Sequence, residues 1–262
     1  MENLGPGRFT RFITLHPYRG AIVFFLLFFL LNLIAGIIVF FFTLDTLLMV
    51  TVADIIIAIA GILLILYLSW FRKAGFATLG TRSDLILYVL PLAIAVLSLS
   101  EGIATPEASL VLLFAVASLV IALAEETFFR GLILQALLPV GVRRTVILSA
   151  VLFGLPHLLN AAGGVWDPLF TLADTFAAFG IGVAFAALLF RTGTIWPLII
   201  LHAFVNFTAL LALGSIMVPA QSLSSLAITA SAGSVLLIYG LYLVRPGQPI
   251  RIENEQVEQA GE

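Results

Sequence analysis

The chain contains no cysteine. Disulfides, thiolate zinc sites and a cysteine nucleophile are therefore excluded. Charge is scarce as well: Asp, Glu, Lys and Arg make up 10% of the residues, where a soluble domain carries about 25%. There is no basic stripe and no glycine-rich phosphate cradle, which argues against nucleic acid as a partner. Histidine occurs three times, so any histidine at membrane depth stands out. What the chain has in excess is apolar: 62% of its 262 residues are hydrophobic, with a mean hydropathy of +1.20. The expected class is an all-α, polytopic integral membrane protein with the lipid bilayer as its first partner.

A helix needs about 20 apolar residues to cross the hydrocarbon. Eight segments qualify: 20–42, 46–71, 84–100, 109–138, 145–162, 168–190, 195–213 and 222–244. The third and fifth are the shortest. The first is too long for the core of a signal peptide, about 7–15 residues, and reads as a retained span. This gives an N-terminal arm (1–19), a transmembrane domain (20–244) and a polar tail (245–262) whose composition predicts mobility. No internal repeat and no low-complexity stretch is evident.

Orientation follows from the bias of Lys and Arg toward cytoplasmic loops. Arg8, Arg11, Arg19, Arg72, Lys73, Arg82, Arg143, Arg144, Arg191, Arg245 and Arg251 fall on one side of an eight-span chain, eleven of its twelve basic residues. The other side holds Asp45, Glu101, Glu107 and Asp167. Both termini are expected to be cytoplasmic, at the plasma membrane in a prokaryote. The twelfth basic residue, Arg130, lies inside the fourth span, in "LAEETFFRG".

Charged groups at membrane depth cost at least about 2.5–3.5 kcal/mol each on insertion scales and are functional candidates by default. At a rise of about 1.5 Å per residue, Glu125 lies about 20 Å from the cytoplasmic end of its span, His157 about 18 Å, His202 about 10 Å and Asn206 about 16 Å. Three spans thus bring polar groups to one slab, read as the cytoplasmic half. Glu126 and Arg130 are i and i+4 and can pair. Glu125 is rotated from Glu126 by about 100° and is free to face another group. His202 and Asn206 are again i and i+4 and point the same way. Pro156, just before His157, frees a backbone carbonyl, and irregular backbone at depth is tolerated where it lines a cavity.

"EETFFR", "FGLPH" and "HAFVN", in this order on three spans, resemble the CAAX-protease and bacteriocin-processing (Abi) family. That family includes the type II CAAX prenyl endopeptidase. The resemblance runs from 123 to about 207, within a protease-like core of about 109–213. It implies an intramembrane endopeptidase acting on a peptide or protein substrate, in one branch a prenylated C-terminal peptide. It implies Glu125, His157, His202 and Asn206 as the catalytic set, with Glu126, Arg130 and Phe153 as support.

The chemistry can be written from the residues themselves. Glu125 with His157 could hold and deprotonate a water. His202 and Asn206 can donate toward an oxyanion. Two His and a Glu can also make a catalytic zinc site, with Glu125, His157 and His202 as donors. No His-Glu-x-x-His is present, so a metal-free glutamate mechanism is favoured and no cofactor is expected. Asn160 reads as structural, His16 as an interface residue, and Asp54 and Asp174, in the outer halves of their spans, as paired or water-contacting. Two other functions share these features: a non-catalytic membrane scaffold of the same family, binding a sensor kinase or a peptide, and a proton-coupled transporter. The transporter would be expected to show an internal repeat with interrupted segments.

Overall fold

A computed structural model describes residues 7–41, 45–104, 106–161, 166–213 and 222–252. Among them there is no strand. Within the N-terminal arm α1 (Arg8–Leu15) forms a short helix that buries Ile13 and leaves both arginines exposed. The long apolar helices follow: α2 (Pro17–Phe40), α3 (Thr46–Tyr67), α5 (Ala108–Glu126) with its continuation to Val140 that includes the short α6 (Leu134–Leu137), α7 (Val142–Gly154) with the turn Leu155–Ala161, α8 (Pro168–Thr192) and α10 (Leu223–Leu243). These six are long and apolar enough to cross a membrane. The seventh expected segment is α9 (Trp196–Leu213), whose apolar stretch is slightly shorter.

The third expected segment is not one helix. It divides into a 3-10 turn (Arg82–Tyr88), the nine-residue α4 (Val89–Leu97) and a second turn (Ser98–Glu101). Pro91 gives the reason. It has no N–H for the carbonyl of Leu87 and would crowd it. That carbonyl instead accepts from the Tyr239 hydroxyl at 2.6 Å. The fifth segment, by contrast, runs longer than its apolar stretch suggested, over Val142–Ala161.

α8 is the central helix. From Val183 to Phe190 every side chain is sealed from solvent. It packs on α7 and, most extensively, on α10. The α8–α10 seam depends on Gly180 and Gly233: a Cβ at Gly180 would stand 2.2 Å from the Gly233 carbonyl oxygen. Small residues allow such close approach, which supplies packing where lipid gives no hydrophobic drive between helices. The outer helices show large apolar side chains outward, among them Leu26, Leu30, Leu63, Leu66 and Ile200.

The basic loops meet at one end. Thr194 Oγ1 donates to the Thr78 carbonyl and Trp196 Nε1 to that of Phe76. Arg143 Nε reaches the Val244 carbonyl. Arg191 bonds Gln248, and Arg251 grips Asp84 with bonds of 2.8 and 2.9 Å. The first part of the tail is therefore docked rather than loose, with Ile252 buried in the core. Its polar composition hid that one apolar anchor and the partner for Arg251. Residues 253–262 lie outside the described ones, as does Ala162 at the end of the fifth segment. Asp45 and Asp167 cap α3 and α8 at the opposite end.

Candidate active site

The site begins where α5 stops being α-helical. Directly after Glu126 the backbone widens into a π turn, Thr127–Ile133, all of it buried. Such turns insert a residue's worth of rotation and are frequent at functional sites. The wide turn is packed closely against α3: a Cβ on Gly131 would meet Ile65 Cδ1 at 2.6 Å.

Glu126 faces the dry side of this turn and is fully buried. Its Oε2 lies 3.2 Å from Arg130 Nε, the pairing its spacing predicted. Its Oε1 takes a 2.8 Å hydrogen bond with His202 Nδ1. The spacing gave no sign of this second bond, which crosses from α5 to α9. Arg130 is also buried, and its two terminal nitrogens have no hydrogen-bond partner among the described residues. Its guanidinium lies over the rings of Phe153, at 4.3 Å, and Phe185, at 5.5 Å. A cation over an aromatic face gains electrostatic attraction that strengthens when water is excluded. Phe153 also touches the His202 ring, 5.8 Å between centroids, and the His157 ring at 6.1 Å. One phenylalanine thus holds three polar groups in place.

Glu125 faces the other way. Its side chain keeps 27% exposure, and Oε2 sits 3.6 Å from His202 Nε2. His202 therefore stands between the two glutamates, one on each ring nitrogen. α7 ends at Gly154, and the Pro156 segment continues as a 3-10 turn that presents His157. His157 Nδ1 bonds Asp174 Oδ2 at 2.8 Å, and Asn160 Nδ2 donates to the same oxygen at 3.3 Å. A carboxylate on one ring nitrogen fixes the tautomer and orientation of the other. Asp174 is the residue that sequence reasoning underweighted. Its signal was an ionisable group inside a span; the partner, 17 positions away across a loop, was not visible.

Glu125, His157, His202 and Asn206 all line one cavity of about 360 Å³, together with Phe153, Asn160 and Asp174. Its remaining walls come mainly from small and aliphatic residues of α8 and α9, such as Ala177, Ala178, Val205 and Ala209. Among the described residues no three His, Asp or Glu side chains are grouped as metal donors. His202 commits Nδ1 to Glu126 and His157 commits Nδ1 to Asp174.

Residues 107–208 match the family model described as Type II CAAX prenyl endopeptidase Rce1-like. The stretch is Rce1-like. It contains every residue of the cavity named so far except Ala209, and it shows the chain's resemblance to the CAAX-protease family. By its description the matched family is one of prenyl endopeptidases, which this stretch resembles. No curated protein and no solved structure matches the chain.

Proposed function

We propose that the chain is an intramembrane endopeptidase in which Glu125 activates a water. The observation that carries this reading is the contrast between two adjacent glutamates: Glu126 is sealed by Arg130 and His202, while Glu125 opens onto a cavity that also holds His157, His202 and Asn206. A water between Glu125 and His157 would give its proton to the Glu125 carboxylate as its oxygen attacks the peptide carbonyl. His202 and Asn206 would donate to the oxyanion. With both ring nitrogens protonated, His202 can donate to Glu126 and to the oxyanion at once. The proton held on Glu125 then passes to the leaving amine as the C–N bond breaks. No step requires a metal. The Lys and Arg excess supports a cytoplasmic position for the basic-loop end.

The test is turnover by protein purified in detergent against a panel of prenylated and unprenylated peptides, with elemental analysis of the same preparation. Wild type should cleave at least one peptide while carrying well under one zinc per chain, and Glu125→Gln should not cleave. A Glu125→Gln protein that cleaves as wild type, or activity that chelation removes and zinc restores, overturns the mechanism.

A further inference from the structure

A second cavity abuts Glu125 from the side of α2 and α3. It holds about 460 Å³ and is walled by Phe28, Phe29, Leu33, Val50 and Leu159. Asn32, Val50 and Asp54 also belong to a neighbouring cavity of about 300 Å³ that continues to Thr46. Ile121 and Glu125 stand in the wall between this space and the catalytic cavity, lining both.

Asp54 faces this space with 8% exposure, and no hydrogen bond or ion pair holds it among the described residues. Among the described residues, the charge that reaches it is another carboxylate, Glu125. Asn32 faces the same space from α2. Its Nδ2 donates to the Phe28 carbonyl at 2.9 Å, which leaves Oδ1 to accept. Asp54 and Asn32 therefore bring carboxyl and amide oxygens, with one amide N–H, to an apolar channel. A buried carboxylate with no partner is unfavourable. A cation with an aliphatic stem satisfies both features at once, since Lys and Arg lay their methylenes along apolar walls and carry the charge at the tip.

We propose that this cavity is a subsite for a basic substrate side chain, docked on Asp54 and Asn32 while its peptide bond lies at Glu125. The inference rests on the peptidase reading and names the class of residue flanking the scissile bond. The test uses the full chain in detergent and internally quenched peptides that differ only at the flanking positions: Lys, Arg, norleucine or Glu. Wild type should cleave the Lys and Arg peptides about tenfold or more better in kcat/KM than the norleucine peptide. Asp54→Asn, and independently Asn32→Leu, should abolish that preference through KM, bringing the Lys and Arg peptides down to the level of the norleucine peptide. A parallel arm measures binding of a fluorescent Lys peptide to Glu125→Gln protein with and without Asp54→Asn.

The outcomes separate the two claims. Equal cleavage of all four peptides by wild type overturns the subsite and leaves the peptidase reading standing. A uniform slowing by Asp54→Asn with a displaced pH profile also overturns it, in favour of proton sharing between Asp54 and Glu125. Asp54-dependent binding with no cleavage of any peptide supports the subsite and removes the peptidase reading.

Discussion

Glu125 and Glu126 are adjacent in sequence and lie in different media. On the Glu126 side the molecule is closed: Arg130, Phe128, Phe129, Leu132 and the run Val183–Phe190 leave almost no accessible surface. On the Glu125 side it is open, with one cavity toward His157 and Asn206 and another toward Asp54. The π turn that follows Glu126 lies at the boundary. The difference teaches how two identical side chains can divide structure from chemistry. The dry one is matched by a cation and a ring nitrogen, so its charge is bound in place. The wet one keeps lone pairs free for a ligand.

The sharpest break of this comparison is Glu125→Gln. Removing a positioned general base typically lowers the rate about 10²–10⁴-fold. The side chain is partly exposed and its His202 contact is long, so melting should change little. The measurement is turnover per folded molecule beside thermal stability. Unchanged turnover would show that the open side is not the reactive one.

Glu126→Gln breaks the closed side instead. Removing one partner of a buried pair destabilises by about 3–5 kcal/mol, because the other charge stays buried and unpaired. Here the change also takes the charge out of the bond to His202 Nδ1, which the Gln amide oxygen can still accept. Yield and melting temperature should fall first, with some activity in the surviving protein. A variant that melts as wild type but is inactive would make Glu126 the reactive acid and reverse the comparison.

Much of this division was legible in the sequence, and the reason is local. The spacing of Glu126 and Arg130 is a property of one helix, as is the shared face of His202 and Asn206. The interruption at Pro156 is local too. What the sequence hid is set by packing between elements. The Glu126–His202 bond spans 76 positions and the His157–Asp174 bond 17. The π turn has no single-residue signature. α4 was obscured because its apolar composition matches a span, while Pro91 and the Tyr239 hydroxyl decide its real length. The empty face of Asp54 was invisible for the same reason: a carboxyl in a span can be predicted, but not the space in front of it.

Asp174→Asn tests how far the open side depends on a positioning residue. A hydrogen bond to a charged group is worth about 1.5–3 kcal/mol, so losing the hold on His157 should lower kcat about ten- to a hundredfold, at or below the low end of the loss expected for Glu125 itself. KM should move little, and the acidic limb of the pH–kcat profile should shift, which a purely structural role would not produce. An unaltered pH profile with a lowered melting temperature would make Asp174 a packing residue.

The smallest effect lies far from both glutamates, at the clasp between the tail and the turn before α4. Asp84 sits outside the six spanning helices, accepts from the Thr81 amide and hydroxyl, and takes two bonds from Arg251. Burial pushes its carboxyl up, but the Thr81 bonds and the Arg251 charge outweigh that and hold it below the usual carboxylate range. The sign follows from linkage: the folded chain binds the proton less well than the unfolded one. The stabilisation is present above the unfolded value of about 3.9 and is lost as pH falls through the folded value. The Arg251 side chain is 41% exposed, so water and salt screen the pair, and a pair of this kind is worth about 0–1 kcal/mol. Arg251→Gln should therefore lower the melting temperature slightly at pH 7, less in high salt, and the gap to wild type should close below about pH 4. Melting curves of both proteins across that range decide it. A large loss at pH 7 that persists at low pH would mean that Arg251 holds the tail through its contact with the Thr192 carbonyl and its packing beside Gly193, and that the carboxylate adds nothing.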